Sequence, residues 1–243
     1  MTANEKITGT LFIVATPIGN LKDITYRAVE LLREADYIAA EDTRKSRFLL
    51  GHYGITGKKL LSYFGPKETT KARDLLKPLM AGYSVALVPD SGTPGISDPA
   101  MKIVRLALLN SINVVPIPGP SALLAALCAS GLDTASFVFE GFLSIKRGRR
   151  ATRLKELFAA NRTVVLFEST HRIHRLLDEL ESEIPERRIV IAREMTKMFE
   201  EFLRGTPSEL KKLIVGKKAK GEFVVMIEKP EKKNRSHISK GRE

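Results

Sequence analysis

Four times between residues 10 and 122 the chain repeats one pattern: a short apolar run, a polar or Gly/Pro-rich stretch, then residues at helical spacing. The apolar runs at 10–15, 37–40, 84–88 and 113–117 lead into the stretches TPIGN, EDTR, PDSGTPGISDP and PGPS. Helical patterns follow at 23–33, from near Lys45, at 101–109 and at 122–130, the last closed by Gly131. A further strand is predicted at 59–64 and a further helix at 71–80. Strand and helix in alternation specify a parallel sheet covered by helices. In such open sheets ligands bind beyond the carboxyl ends of the strands, where these four stretches lie.

The longest of the four, residues 89–99, is too rich in Gly and Pro for regular structure and opens onto a helix near Asp98. Gly92 and Gly95 let the backbone approach a ligand closely. Pro94 and Pro99 stiffen the path, and Ser91, Thr93, Ser97 and Asp98 offer side-chain oxygens. The alternative is a plain strand-to-helix turn capped by Ser97 or Asp98.

Beyond Gly131 the order of elements changes. Strands are predicted at 136–142, 164–167, 188–192 and 222–227, with a segment at 200–203 pairing beside the third. Helices are predicted at 153–160, 171–180 and 207–214, the last capped by Thr206. Short links as well as helices separate these strands, so the second half reads as a mixed sheet. The expected division is an N-terminal α/β domain at 1–131, a C-terminal α/β domain at 132–228, and a basic, disordered tail at 229–243.

The chain carries 40 Lys and Arg against 28 Asp and Glu, a formal charge of +12. An excess of this size suits a polyanion, because each neutralised phosphate releases counterions. The cations cluster. Lys146, Arg147, Arg149, Arg150, Arg153 and Lys155 come with no acid between them, in what reads as a loop before the helix at 153. Lys211, Lys212, Lys217, Lys218 and Lys220 form a second group. The alternative is a basic, well-solvated surface.

Several chemistries are excluded. Residues 51–59 lack the glycine–lysine–hydroxyl order of a phosphate loop, and no spaced-glycine dinucleotide fingerprint follows a strand. His171 and His174 have no third ligand, so no metal site is expected. Ser91 and Ser121 lack the nucleophile-elbow pattern and a nearby His. The single cysteine, Cys128, lies in the apolar run 122–129 and reads as a small core residue in a reducing compartment. Without a signal peptide or an apolar run long enough to span a bilayer, the expectation is a soluble, cytoplasmic protein with no membrane partner.

Seven motifs in order carry a resemblance: residues 14–24 (VATPIGNLKDI), 41–44 (EDTR), 89–99 (PDSGTPGISDP), 117–122 (IPGPSA), 167–172 (FESTHR), 193–201 (REMTKMFEE) and 220–224 (KGEFV). Together they resemble the tetrapyrrole methylase family. Within it, they resemble the branch that methylates the ribose 2′-oxygen of a cytidine in the decoding region of 16S small-subunit ribosomal RNA. The match runs from Gly9 to Ile227. It implies an S-adenosylmethionine-dependent methyltransferase of two α/β domains, parallel then mixed, with the cofactor in the cleft between them. It also implies a homodimer whose partner is 16S rRNA in the small ribosomal subunit.

Carried over by position, the resemblance implies cofactor contacts at Pro17, Ile18, Gly92, Thr93, Ile96, Ser121 and Ala122, and at Phe167, Ala192 and Glu222 in the second domain. The chain departs from the family pattern in having Thr16-Pro17-Ile18-Gly19 for a glycine-proline-glycine loop. Other departures are Ser91 for alanine, Ala100 for glycine and Thr170 for proline.

Methyl transfer to a ribose hydroxyl needs in-line positioning and gains from a general base. Asp42 and Glu41, with Arg44 beside them, form the expected catalytic set; the alternative is a structural ion pair among Asp42, Arg44 and Lys45. Lys146, Arg147, Arg149 and Arg150, together with Arg44, are the expected RNA-phosphate contacts, with Arg193 and Lys197 as further cleft candidates. Arg193 and Glu194 equally suit a buried pair. Two other functions share these loops: methylation of a tetrapyrrole or protein acceptor, and non-enzymatic ribosome binding.

Overall fold

The computed structural model describes residues 8–65, 68–215 and 221–231. The chain divides into two compact units. One comprises Met1–Ala126 with Glu194–Glu201, the other Leu127–Arg193 with Phe202–Glu243.

The first unit is built on β1 (Thr10–Val14), β2 (Tyr37–Ala40), β3 (Lys59–Ser62), β4 (Val85–Val88) and β5 (Asn113–Ile117), in the spatial order β3-β2-β4-β1-β5. Every pairing in this sheet is parallel. Its helices are α1 (Tyr26–Glu34), α2 (Thr43–His52), α3 (Glu68–Met80), α4 (Met101–Leu109) and the start of α5 (Ala122–Ser130). Side chains alternate across a strand, so each strand feeds two cores. Ile38, Ala40, Ala86 and Val88 pack with Ala28, Val29 and Leu32 of α1 and Leu50 of α2. Ala39, Val85 and Leu87 point the other way, onto Leu75 and Leu79 of α3 and Ile103 and Ala107 of α4. Burial on both faces is why these strands read as unbroken apolar runs. The connection from β1 leads to β2 on one side and that from β4 leads to β5 on the other, so the strand order reverses between β1 and β4.

The second unit holds β6 (Phe137–Phe142), β7 (Thr163–Ser169), β8 (Ile189–Arg193), β9 (Glu201–Gly205) and β10 (Glu222–Ile227), ordered β6-β7-β10-β8-β9. β6 runs parallel to β7, and β10 antiparallel to both β7 and β8, so the sheet is mixed as expected. Its helices are α6 (Arg147–Ala159), α7 (Ile173–Glu183) and α8 (Pro207–Leu213). On α7, Ile173, Leu176, Leu177 and Leu180 recur at helical spacing and are fully buried; each such side chain contributes about 1.5–3 kcal/mol. α8 starts in a capping box: the Thr206 side chain accepts from the Glu209 N–H while the Glu209 carboxylate accepts from the Thr206 N–H.

Three expectations are corrected. The basic stretch at 146–150 is not a loop, for α6 begins at Arg147 with Lys146 as its N-cap; Gly148 and the lack of a capping side chain concealed the start. Cys128 is exposed rather than in the core. α5 is apolar on every side, so its spacing could not say which residues face inward. Glu194–Glu201 lies with the first unit, not the second. Lys217, Lys218 and Lys220 and the tail from residue 232 lie outside the described residues. Lys229, where the tail was expected to begin, pairs with Asp133. No helix among the described residues is long and apolar enough to cross a membrane.

Candidate active site

In the first unit the loops after β1, β4 and β5 are tied together at the carboxyl end of the sheet. Thr16 and Gly92 exchange both backbone hydrogen bonds, Thr16 N–H to the Gly92 carbonyl at 2.8 Å and the reverse at 3.0 Å. This short antiparallel bridge spans the point where strand order reverses, the expected ligand position of an open α/β sheet. Thr93 Oγ1 donates to the Pro120 carbonyl at 3.0 Å, adding the β5 loop.

Gly92 has φ +81° and Gly95 φ +86°, conformations that other residues adopt only with strain. A Cβ on Gly92 would meet only Ile18 Cγ2, at 3.5 Å. Pro17, Ile18 and Gly92 are buried, Thr93, Ser121 and Ala122 half-buried, and Ile96 exposed. The first-unit residues expected to face the cofactor therefore lie on three loops that are hydrogen-bonded to one another. The loop after β1 is held from a second side. Asn20 N–H donates to Thr196 Oγ1 at 3.1 Å, and a Cβ on Gly19 would sit 2.5 Å from Lys197 Cγ. Thr196 was missed from the sequence.

The ends of β2 and β4 carry a carboxylate lattice. Asp42 N–H donates to Asp90 Oδ1 at 2.9 Å, and Asp90 N–H donates to Glu41 Oε2 at 3.1 Å. Lys45 Nζ lies 2.7 Å from Asp90 Oδ2. Asp98 Oδ1 accepts from Gly95 N–H at 2.6 Å and from Ala100 N–H at 3.1 Å, fixing the turn into α4. Burial, then the charges of Asp90 and Asp98, push the Glu41 carboxyl above the usual carboxylate range, against the opposing Asp90 N–H and Lys45. Burial also raises Asp98.

Asp42 differs. It is the N-cap of α2, accepting from Arg44 N–H at 2.8 Å, and Arg44 clamps its two oxygens at 3.1 and 2.7 Å. The Arg44 guanidinium holds it well below the usual range. Of the two carboxylates expected in the catalytic set, Asp42 is the one drawn into the ion pair with Arg44 that the sequence offered as the alternative.

In the second unit Phe167 and Ala192 both stand opposite Val224 of β10, and Glu222 lies two residues from Val224. The three expected residues thus share one face of the sheet. The opposite face, with Leu166, Ile191, Phe223 and Val225, packs against α6, α7 and α8.

Among the expected RNA contacts, Lys146, Arg147 and Arg149 are exposed on the first turn of α6. Arg150 is corrected. It is 1% exposed, with Nε 2.7 Å from Glu179 and Nη1 3.3 Å from the buried Glu168, which also takes Arg172 Nε at 2.8 Å. One helical turn carries Arg150 inward while its neighbours face out; removing one partner from a buried pair of this kind costs about 3–5 kcal/mol. Glu194 accepts from Lys197 at 3.0 Å, and Arg193 ends β8 buried. Among the described residues no group of three or more His, Cys, Asp or Glu is placed to hold a metal ion.

The family model of the tetrapyrrole (corrin/porphyrin) methylases matches residues 10–211. The chain belongs to the tetrapyrrole methylase family. Ribosomal RNA small subunit methyltransferase I of Halalkalibacterium halodurans is 45% identical over 220 residues, 90% of this chain and 76% of the relative. Among solved structures, a diphthine synthase matches with TM-score 0.71 at 18% identity over 90% of each chain. Uroporphyrin-III C-methyl transferase from Thermus thermophilus, complexed with S-adenyl homocysteine, matches with TM-score 0.64 at 19% identity over 90% of this chain and 97% of that one. The two solved structures share the fold and differ in named acceptor, so the fold does not select the acceptor. Methylases of this family use S-adenosylmethionine. The first unit's loops fit such a ligand: Gly92 and Gly95 present bare backbone, and hydrogen bonds tie the three loops together.

Proposed function

We propose that this family member transfers a methyl group from S-adenosylmethionine to the ribose 2′-oxygen of a cytidine in the decoding region of 16S ribosomal RNA, acting in the cytoplasm on the small subunit. The observation that carries the reading is the 45% identity, over nine-tenths of the chain, to a relative named for small-subunit ribosomal RNA methylation. The charge agrees: a net +12, with Lys146, Arg147 and Arg149 exposed on one helical turn, suits a phosphodiester backbone better than a small tetrapyrrole.

In this reading Pro17, Ile18, Gly92, Thr93, Ile96, Ser121 and Ala122, with Phe167, Ala192 and Glu222, contact the cofactor, which supplies an electrophilic methyl group when bound. Glu41 accepts the hydroxyl proton, and Arg44 with the α6 cations contacts phosphates. The reading includes a homodimer, for which α5 offers exposed Leu124 and Cys128.

The test incubates the protein with S-adenosylmethionine and small ribosomal subunits lacking ribose methylation, then maps the RNA fragments by mass spectrometry. One new ribose methyl on a cytidine is expected. Cofactor binding with no methyl on the RNA would overturn the substrate assignment and turn attention to tetrapyrrole or protein acceptors.

A further inference from the structure

Tyr63 follows β3 directly. Its N–H donates to the Ala40 carbonyl at 3.1 Å, which places it beside Glu41 at the carboxyl end of the sheet. The ring packs with Leu75, Leu79, Ala100 and Ile103, and the residue is only 2% exposed. Its hydroxyl is the single buried side-chain polar atom without a hydrogen-bond partner among the described residues. Packing at this position asks only for a phenyl ring. The carboxylates that bear on the hydroxyl are Asp98, Glu41 and Asp90. A buried donor is thus set among three acceptors, none of them within bonding distance.

We propose that Tyr63 is a positioning residue for the proton acceptor of methyl transfer, its hydroxyl turning to Glu41, directly or through one water, and holding that carboxylate toward the acceptor hydroxyl. The inference rests on the reading given above. Glu41 Oε2 is engaged by the Asp90 N–H, which leaves Oε1 for the incoming proton. As the ribose oxygen–carbon bond forms, the carbon–sulfur bond of the methyl donor breaks and its electrons discharge the sulfonium to a thioether. The hydroxyl proton passes to Glu41.

Burial, then the charges of Asp98, Glu41 and Asp90, hold the phenol far above its ordinary range, so it keeps its proton and can donate it in a hydrogen bond to a carboxylate. The charged groups around the pair are Asp42, Arg44 and Lys45 from α2 and its cap, and Asp90 and Asp98 from the loop after β4. Lys71 of α3 is anchored nearby on Ser62 Oγ at 3.0 Å.

The test is Tyr63→Phe, which keeps the ring and removes only the oxygen. Single-turnover methyl transfer to unmethylated small subunits is followed across the pH range, with calorimetry of S-adenosylmethionine binding alongside. The expected result is a rate lowered by about tenfold or more, an acidic limb displaced to higher pH, and unchanged cofactor affinity. Glu41→Gln/Tyr63→Phe is then no slower than Glu41→Gln alone. A wild-type rate and profile, with a higher melting temperature, would overturn the proposal, since the hydroxyl is then an orphan whose loss only stabilises the fold.

A second readout needs no acceptor: the Glu41 carboxyl is titrated by carbon NMR in the wild type and in Tyr63→Phe. A higher apparent pKa in the variant supports the proposal, and an identical one overturns it. If the wild-type protein methylates no RNA, the functional reading fails by itself, while this titration still decides the role of Tyr63.

Discussion

At the end of β2 two neighbouring carboxylates meet different surroundings, and the difference decides which of them can take a proton. Asp42 is held down by Arg44, so its contribution to stability is present above the ordinary carboxylate range and is lost as the pH falls through its lowered value. Glu41 is raised by burial, so its contribution runs the other way, present at low pH and lost as the pH rises through the raised value. Glu41→Gln keeps an oxygen for the Asp90 N–H and removes the desolvated charge. It is expected to melt higher than the wild type at neutral pH, with the difference vanishing in acid, while single-turnover methyl transfer falls by about a hundredfold or more. An unchanged rate would remove Glu41 from the chemistry. Gly92→Val is expected to bind S-adenosylmethionine at least about tenfold more weakly by calorimetry, because a β-branched residue at φ +81° costs about 1–3 kcal/mol and fills the bare backbone. Unchanged affinity in a folded variant would take the loop out of the site. Glu41 stood out in the sequence as an acid at a strand end, but its difference from Asp42 did not. That difference comes from the Arg44 guanidinium clamped on Asp42 and from the burial of Glu41 beside Asp90, and residues 41 and 90 meet only through the pairing of β2 with β4.

Elements were most legible where burial was two-sided. β1, β2 and β4 are covered on both faces and showed as apolar runs, bounded by Gly and Pro at β1 and β4 and by acidic residues at β2. α6 was the failure. Its first turn carries Lys146, Arg147 and Arg149, cations at the positive end of a helix dipole, and no capping side chain relieves them. A sequence rule that looks for caps and acids passes over such a start. Helical geometry then separates Arg150, one strut of a buried network with Glu168 and Glu179, from its exposed neighbours. Replacing Lys146, Arg147 and Arg149 together by Gln is expected to weaken binding to small-subunit RNA and to flatten its salt dependence, by about 0.7–0.9 in log–log slope for each phosphate no longer neutralised. Cofactor affinity is expected to stay unchanged, and α6 to become slightly more stable. A salt slope equal to that of the wild type would place the RNA elsewhere.

At the scale of the whole molecule, the sequence indicated two α/β units, parallel then mixed, because strand–helix alternation gives way to short links past Gly131. It could not indicate that Glu194–Glu201 belongs with the first unit, since that segment is joined to its unit by a hydrogen bond between residues 176 positions apart. Gly19→Ala tests this link, because its methyl group would meet Lys197 Cγ at 2.5 Å and Thr196 Oγ1 at 2.8 Å. Overpacking of this kind costs about 1–3 kcal/mol. The variant is expected to melt lower and to bind S-adenosylmethionine more weakly, and the loss of cofactor binding should be partly restored by Lys197→Ala.

The same link has a consequence in time. The chain leaves the first unit before residue 127, returns to it at Glu194 and departs again at Phe202. A ribosome making this protein at about 5–20 residues per second has therefore synthesised most of the second unit before it delivers the eight residues that brace the loop after β1. Until then a nascent chain can pair the five strands of its first sheet but holds that loop from one side only. On the proposed function, cofactor capture then waits for these residues, and a product truncated before residue 194 would have a folded sheet with an unbraced loop after β1.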